Sequence, residues 1–251
     1  MAETKISHLL LDFFGTVVDY SPSRTEQDYA RSYGLLRRFG ASLSYQDFLV
    51  LGEETFGAYD ARAAEDFTEF SMYEPSAEIL ERSIGRIAEP DEIAAFVTSY
   101  LSDWNSAVHY PDGMALLLHD LAREYRLAVV SNTHSPTLVP DHLEHLGVGD
   151  LFDTVVLSVE VGRRKPHPAI YQTALDRLGI EPGSALFVGD TYEADYAGPR
   201  SVGIRALLID PRRSTPAPDA DRLRTLFDLR DRDLRQEWTR SAAPSVGHRG
   251  Y

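Results

Sequence analysis

Short apolar runs, each closed by polar or glycine-containing turn chemistry, recur at 8–11 (HLLL), 126–131 (RLAVVS), 154–158 (TVVLS), 185–189 (ALFVG) and 205–209 (RALLI). Runs of this length, rich in Val, Leu and Ile, predict buried strands. Between them, apolar positions recur at three and four residues over 112–124, 136–146, 168–179 and 194–202, which predicts helices. Strands alternating with helices of this size predict βαβ units, hence a doubly wound parallel α/β sheet of Rossmann-like kind.

The stretch from about 20 to 105 has a different pattern. It shows helical periodicity with many aromatics, among them Tyr29, Tyr33, Phe39, Phe48, Phe56, Phe67 and Phe70, and no convincing strand. It predicts an α-helical cap domain at 19–105, inserted into a discontinuous core at 1–18 and 106–236. Its aromatics are expected to form its own core, with one or two facing the sheet and the substrate. Tyr20, Arg24 and Tyr29, soon after the first strand, are candidates to reach an anionic substrate, with a hinge and packing role the first expectation. After the last strand comes a Pro- and charge-rich connector, then a closing helix (RLRTLFDLRDRDLRQEW), then a tail at 237–251 of disordered composition.

Composition narrows the function classes. The 251 residues are 43% apolar and 25% charged, ordinary for a globular protein that can bury a sizeable core. A net charge of −14 argues against a nucleic-acid partner, which needs a basic face. The absence of cysteine excludes disulfides, thiolate metal sites and cysteine nucleophiles. No apolar run approaches the roughly 18 residues needed to span a bilayer, so the expectation is a cytoplasmic protein with a small-molecule substrate and no membrane partner. The pattern carries no oligomerisation signature.

In a doubly wound sheet, ligands bind outside the carboxyl ends of the strands, at the topological switch point. Polar clusters fall at those ends: Asp12; Ser131-Asn132-Thr133; Lys165-Pro166 in the loop before 168–179; and Gly189-Asp190-Thr191 with Asp195. Each alone reads as turn or capping chemistry. Lys165 stands out because the only other lysine is Lys5.

Taken in order, LLLDFFGT, VVSN, GRRKPHPAIY and LFVGDTYEAD resemble the four motifs of the haloacid dehalogenase-like (HAD) hydrolase superfamily, with the helical insertion placed as in its subclass I caps. The resemblance covers about 8–19 and 108–210. It implies that Asp12 is the nucleophile of a covalent intermediate, that Ser131 hydrogen-bonds a transferring phosphoryl group, and that Lys165 pairs with the nucleophile and the phosphoryl charge. It implies a Mg²⁺ site at Asp12, Asp190 and the Phe14 backbone carbonyl, with Asp195 as a further carboxylate, and substrate contacts from Phe14, Gly15, Thr16 and Asn132. Physics fits these roles: a carboxylate approaches an anionic phosphate only where positive charge offsets the repulsion, and Mg²⁺ prefers oxygen ligands.

One position departs from the family. Its phosphatases carry a second Asp two residues after the nucleophile, as general acid and base; here that residue is Phe14. Positioned acid–base catalysis is worth about 10²–10⁴ in rate. Asp12-Phe13-Phe14-Gly15-Thr16 is similar to the D-x-Y-G-T motif of the 2-haloacid dehalogenases, whose halide leaves unprotonated, and Ser135-Pro136 is also reminiscent of them. Yet GDTYEAD keeps the acidic phosphatase form, where the dehalogenases resemble S-S-N-x-W-D. A phosphonoacetaldehyde hydrolase is excluded, because that branch needs a cap lysine and none lies between Lys5 and Lys165. Three alternatives stand: a Mg²⁺-dependent phosphohydrolase with a good leaving group or an acid from elsewhere, such as His134; a dehalogenase-like enzyme; and a weakly active or non-catalytic phospho-ligand-binding member.

Overall fold

A computed structural model describes residues 5–20, 27–232 and 234; Arg24 and the tail expected at 237–251 lie outside them. A six-stranded, all-parallel sheet runs in the order β3-β2-β1-β4-β5-β6. Its strands are β1 (His8–Leu11), β2 (Arg126–Ser131), β3 (Phe152–Leu157), β4 (Ala185–Gly189), β5 (Arg205–Ile209) and β6 (Arg222–Leu223). The chain builds outward from β1 to β3, then crosses to β4 on the other side of β1. The β1/β4 border is therefore the switch point, and Asp12 and Asp190 lie just past the ends of those two strands.

Period-two alternation sorts the strand side chains. Leu9 and Leu11 join one apolar layer with Leu117 and Leu118 of α5 (Met114–Ala122) and Leu143 of α6 (Leu138–His145). Leu10 points the other way, into a layer with Ile170, Tyr171 and Ala174 of α8 (Pro168–Leu178). At about 25 cal/mol per Å² of apolar surface removed from water, this double-sided burial is the main term holding β1 in place.

Among the described residues, four helices form the insertion: α1 (Ala30–Arg38), α2 (Tyr45–Asp66), α3 (Tyr73–Ile84) and α4 (Pro90–Asn105). They share a core of their own, in which Tyr29, Phe48, Phe56, Ile79, Phe96 and Tyr100 are buried. Ser44 caps α2 by accepting from the Asp47 amide, and α2 ends at Phe67 with φ of 59°. Where the chain enters and leaves the insertion, Asp19 and His109 exchange backbone hydrogen bonds of 2.9 and 2.8 Å.

Three expected elements differ. Ser158 ends no strand but starts α7 (Ser158–Val161), because its hydroxyl is committed to other groups. The helix at 194–202 is a π-helical turn, Tyr192–Ala197, followed by α9 (Gly198–Ser201). The closing helix is replaced within its described part by β6 and a 3₁₀ segment, Leu226–Asp231; Arg222 is drawn to the sheet edge by an ion pair with Asp210 at 2.9 Å, and Asp210 donates its amide to Leu223. No helix among the described residues is long and apolar enough to cross a membrane.

Candidate active site

β1 delivers Asp12 buried, its amide still donating to Val188 of β4 at 2.9 Å. The chain then folds back tightly: the amides of Thr16, Val17 and Val18 all reach the Phe13 carbonyl, and Gly15 N–H donates to Val18 at 2.7 Å. Gly15 has φ of +87°, and a Cβ there would lie 2.1 Å from Asp190 Oδ2. Only glycine fits both demands. The same turn brings the Thr16 hydroxyl back to donate to Asp12 Oδ2 at 3.1 Å.

Lys165 completes the centre. Its Nζ donates to Asp12 Oδ1 and to Asp195 Oδ1, both at 2.7 Å, and the side chain is almost fully buried. Burial opposes the ammonium, but Asp12 and Asp195 outweigh it and raise the lysine above its ordinary pKa. The main chain of Lys165 is clamped by Asn132, whose Oδ1 accepts from Lys165 N–H at 2.7 Å while its Nδ2 donates to Lys165 C=O at 3.0 Å. Asp195 is set by the π-helical turn: its other oxygen accepts from Thr191 N–H at 2.9 Å. Gly189 makes room for it, since a Cβ there would sit 2.4 Å from the Asp195 carboxyl carbon.

Asp12, Asp190 and Asp195 each offer an oxygen within 4.8 Å of the others. Burial first, and the Asp12 charge second, push Asp190 up to about 6. Three carboxylates thus cluster together, and the Lys165 ammonium bonds two of them. Hard carboxylate oxygens with a deficit of positive charge suit a cation such as Mg²⁺, and Asp12, Asp190 and Asp195 are close enough together to hold one. Ser131, expected beside them, is buried at the end of β2, with its hydroxyl 3.5 Å from the Asn132 carbonyl.

His134 is engaged elsewhere. Its Nδ1 lies 3.0 Å from Glu69 Oε1, its Nε2 lies 4.0 Å from Asp60, and its ring stacks on Phe70 at 4.1 Å. Glu69 also accepts from Arg164 Nη2 at 2.5 Å and from the Ser158 hydroxyl at 2.6 Å. The strand-like segment after α2 is pinned further: Arg164 N–H donates to Phe67, Arg163 Nη1 to the Asp66 carbonyl and the Thr68 hydroxyl, and Met72 N–H to His134. None of this was legible beforehand, because Glu69 is one of 39 acidic residues and nothing in its neighbours marks it.

Phe14 meets Trp104 edge-on at 5.2 Å and Tyr20 at 5.8 Å. These three, with Phe56, Met72 and Tyr100, wall a cavity of about 290 Å³ between insertion and core; Asn132, Thr133, His134 and Ser135 line its polar side. Tyr20 is thus a wall residue as well as a packing one. Phe56 and Tyr100 belong to the insertion core and to the cavity at once, so aromatics of the insertion do face the sheet.

Residues 48–209 match the family described as haloacid dehalogenase-like hydrolase. The glyceraldehyde 3-phosphate phosphatase of Methanopyrus kandleri is 31% identical over 163 residues, 61% of this chain and 70% of that one. The phosphoserine phosphatase of Thermus thermophilus is 35% identical over 127 residues, 51% of this chain and 49% of the relative, about half its length. Among solved structures, a 2-haloacid dehalogenase from Pseudomonas syringae superposes with a TM-score of 0.66 at 18% identity, covering 90% of this chain and 97% of that one; it speaks for the fold alone. A HAD phosphatase from Thermococcus onnurineus gives 0.62 at 25% identity, with coverage of 90% and 97%.

Proposed function

The chain belongs to the haloacid dehalogenase-like hydrolases, and on that premise we propose that it is a Mg²⁺-dependent phosphohydrolase of a small phosphorylated molecule, working through an aspartyl-phosphate on Asp12. The observation that carries this reading is the Lys165 ammonium, held 2.7 Å from Asp12 and Asp195 with Asp190 close by. A bare displacement at carbon has no use for so many carboxylates. The relatives named for phosphatase activity support the same choice.

Each residue then has a task. Asp12 attacks phosphorus with one oxygen of a carboxylate that Lys165 orients through Oδ1 and the Thr16 hydroxyl through Oδ2. Lys165 offsets the charge of carboxylate and phosphoryl oxygens at a buried site, where its effect exceeds that in water. Asn132 fixes the height of that ammonium through its main chain, and Asp195 fixes its direction. Ser131 supplies a hydroxyl to a phosphoryl oxygen. Mg²⁺, when bound by Asp12, Asp190 and the Phe14 carbonyl, supplies the remaining positive charge.

The test is phosphate release from a panel of phosphorylated metabolites, with Mg²⁺ and with EDTA. Release that EDTA abolishes and that Asp12→Asn eliminates supports the proposal. Phe14 favours a second reading, dehalogenation of a 2-haloacid, because an aromatic at that position suits a leaving group that needs no proton. Halide release insensitive to EDTA would select it and sink the first.

A further inference from the structure

Resting on the phosphohydrolase reading, we infer that the substrate is an aryl phosphate: a phosphate monoester whose leaving group is an uncharged aromatic alcohol, with its ring in the cavity beside Phe14. Two independent observations lead there.

The first is the chemistry available at the leaving oxygen. Phe14 stands where a proton donor would act, and His134 has Nδ1 on Glu69 and Nε2 toward Asp60. An alkoxide is about as basic as hydroxide, whose conjugate acid has a pKa of about 15.7. A phenolate is the base of an acid of pKa about 10. Without a donor, the ester of a phenol can break where the ester of an aliphatic alcohol stalls.

The second is the space. A cavity of about 150 Å³ lined by apolar side chains accepts benzene; this one is about 290 Å³, enough for a substituted or bicyclic ring. Its apolar wall is Phe14, Tyr20, Phe56, Met72, Tyr100 and Trp104. Among its described lining residues there is no lysine, arginine, aspartate or glutamate. The polar side, Asn132, Thr133, His134 and Ser135, offers partners on one face only, so the hydroxyl or charged groups that a sugar or amino-acid phosphate turns to the apolar wall would be buried unpaired, which is costly; a ring would meet aromatic edges and faces. Phe14 and Asn132 belong both to the cavity and to the surroundings of Asp12 and Lys165, so a ring held there is attached where the phosphoryl group is needed.

The steps balance. An Asp12 oxygen bonds to phosphorus as the P–O(aryl) bond breaks, and the electron pair leaves on the phenolate. Water oxygen then bonds to phosphorus and the P–O(Asp12) bond breaks, giving orthophosphate and freeing one proton, which the phenolate takes up through solvent. With no base at position 14 the second half is the slower, so phenol should appear in a burst stoichiometric with enzyme, ahead of phosphate.

The experiment uses the full chain with Mg²⁺ on phenyl phosphate, 1-naphthyl phosphate, cyclohexyl phosphate, glucose 6-phosphate and acetyl phosphate. We expect kcat/KM for the two aryl esters at least 100-fold above that for cyclohexyl phosphate and glucose 6-phosphate. We also expect competitive inhibition by free 1-naphthol and none by glucose, a readout that needs no variant. Trp104→Leu should raise KM for 1-naphthyl phosphate at least tenfold while moving kcat far less. Equal or better kcat/KM for cyclohexyl phosphate or glucose 6-phosphate, or a failure of 1-naphthol to compete, would overturn the inference and leave the phosphohydrolase reading standing. No phosphate from any ester or from acetyl phosphate would overturn that reading itself.

Discussion

Glu69 of the helical insertion places Oε1 3.0 Å from Nδ1 of His134, a residue of the core loop after β2. An ionised carboxylate only accepts, so the imidazole carries its proton on Nδ1. Arg164 and the Phe70 amide share the same oxygen and Ser158 takes the other, so three of the four groups that satisfy this buried carboxylate lie across the interface.

That arrangement sets a pH dependence. Burial works against the Glu69 charge, but His134, Arg164 and Ser158 prevail and hold its pKa at about 2, against 4.5 ordinarily. A depressed carboxylate gives stability that is full above the unfolded value and is lost as pH falls through the folded one. The contribution, about 3 kcal/mol, should therefore disappear between about pH 5 and pH 2. Thermal melts across that range should show Glu69→Gln with a flatter acid limb than the unmodified chain. At pH 7 the variant should melt roughly 6–12 °C lower.

Lys165→Ala should cost both stability and rate. It leaves Asp12 and Asp195 facing each other in a buried site, a loss of about 3–5 kcal/mol for a broken buried pair. It also removes the ammonium from the reacting carboxylate, for which a fall of at least 10² in kcat is expected. Lys165→Arg should not rescue activity, since a planar fork cannot replace a point donor at 2.7 Å from two oxygens. Steady-state kinetics and urea melts of both variants check this.

Gly15→Ala should cripple the site while leaving most of the fold intact. Its Cβ would collide with Asp190 and its φ is +87°. The expected signature is a fall of at least 100-fold in kcat/KM together with a raised Mg²⁺ concentration for half-maximal activity, read by a metal titration.

Phe14→Asp should create the missing acid and base. With Trp104, Tyr20 and His142 around the ring, the variant should lose about 3 kcal/mol or more of stability. In return, hydrolysis of alkyl phosphates should rise at least tenfold, within the range of positioned proton transfer. An unchanged rate would mean that position 14 does not face the leaving oxygen.

What the sequence made legible was the set of strand ends. Asp12 and Asp190 follow, and Ser131 ends, an apolar run whose length and composition predict a buried strand, so their placement at one edge of the sheet follows from the parallel topology. The π-helical turn at Tyr192–Ala197 was not legible, because its apolar spacing mimics an α-helix while the Asp195 carboxylate must reach both Lys165 and Thr191. β6 was hidden by its two-residue length and by the charged run around it, which resembles an amphipathic helix until Asp210 claims Arg222. The latch at Glu69 and the shared duty of Phe56 and Tyr100 depend on two segments far apart in sequence, and no local pattern encodes that meeting.

The loop that presents Lys165 is gripped from two directions. Asn132 holds its main chain from the core, while Arg163 and Arg164, the two residues before it, are bonded to Asp66, Thr68 and Glu69 of the insertion. Any displacement of the insertion would break the second grip, next to the lysine. The stretch that carries the counter-charge of Asp12 is thus a joint shared by insertion and core, so a change at Asp66, Thr68 or Glu69, none of which touches Lys165, bears on where its ammonium sits.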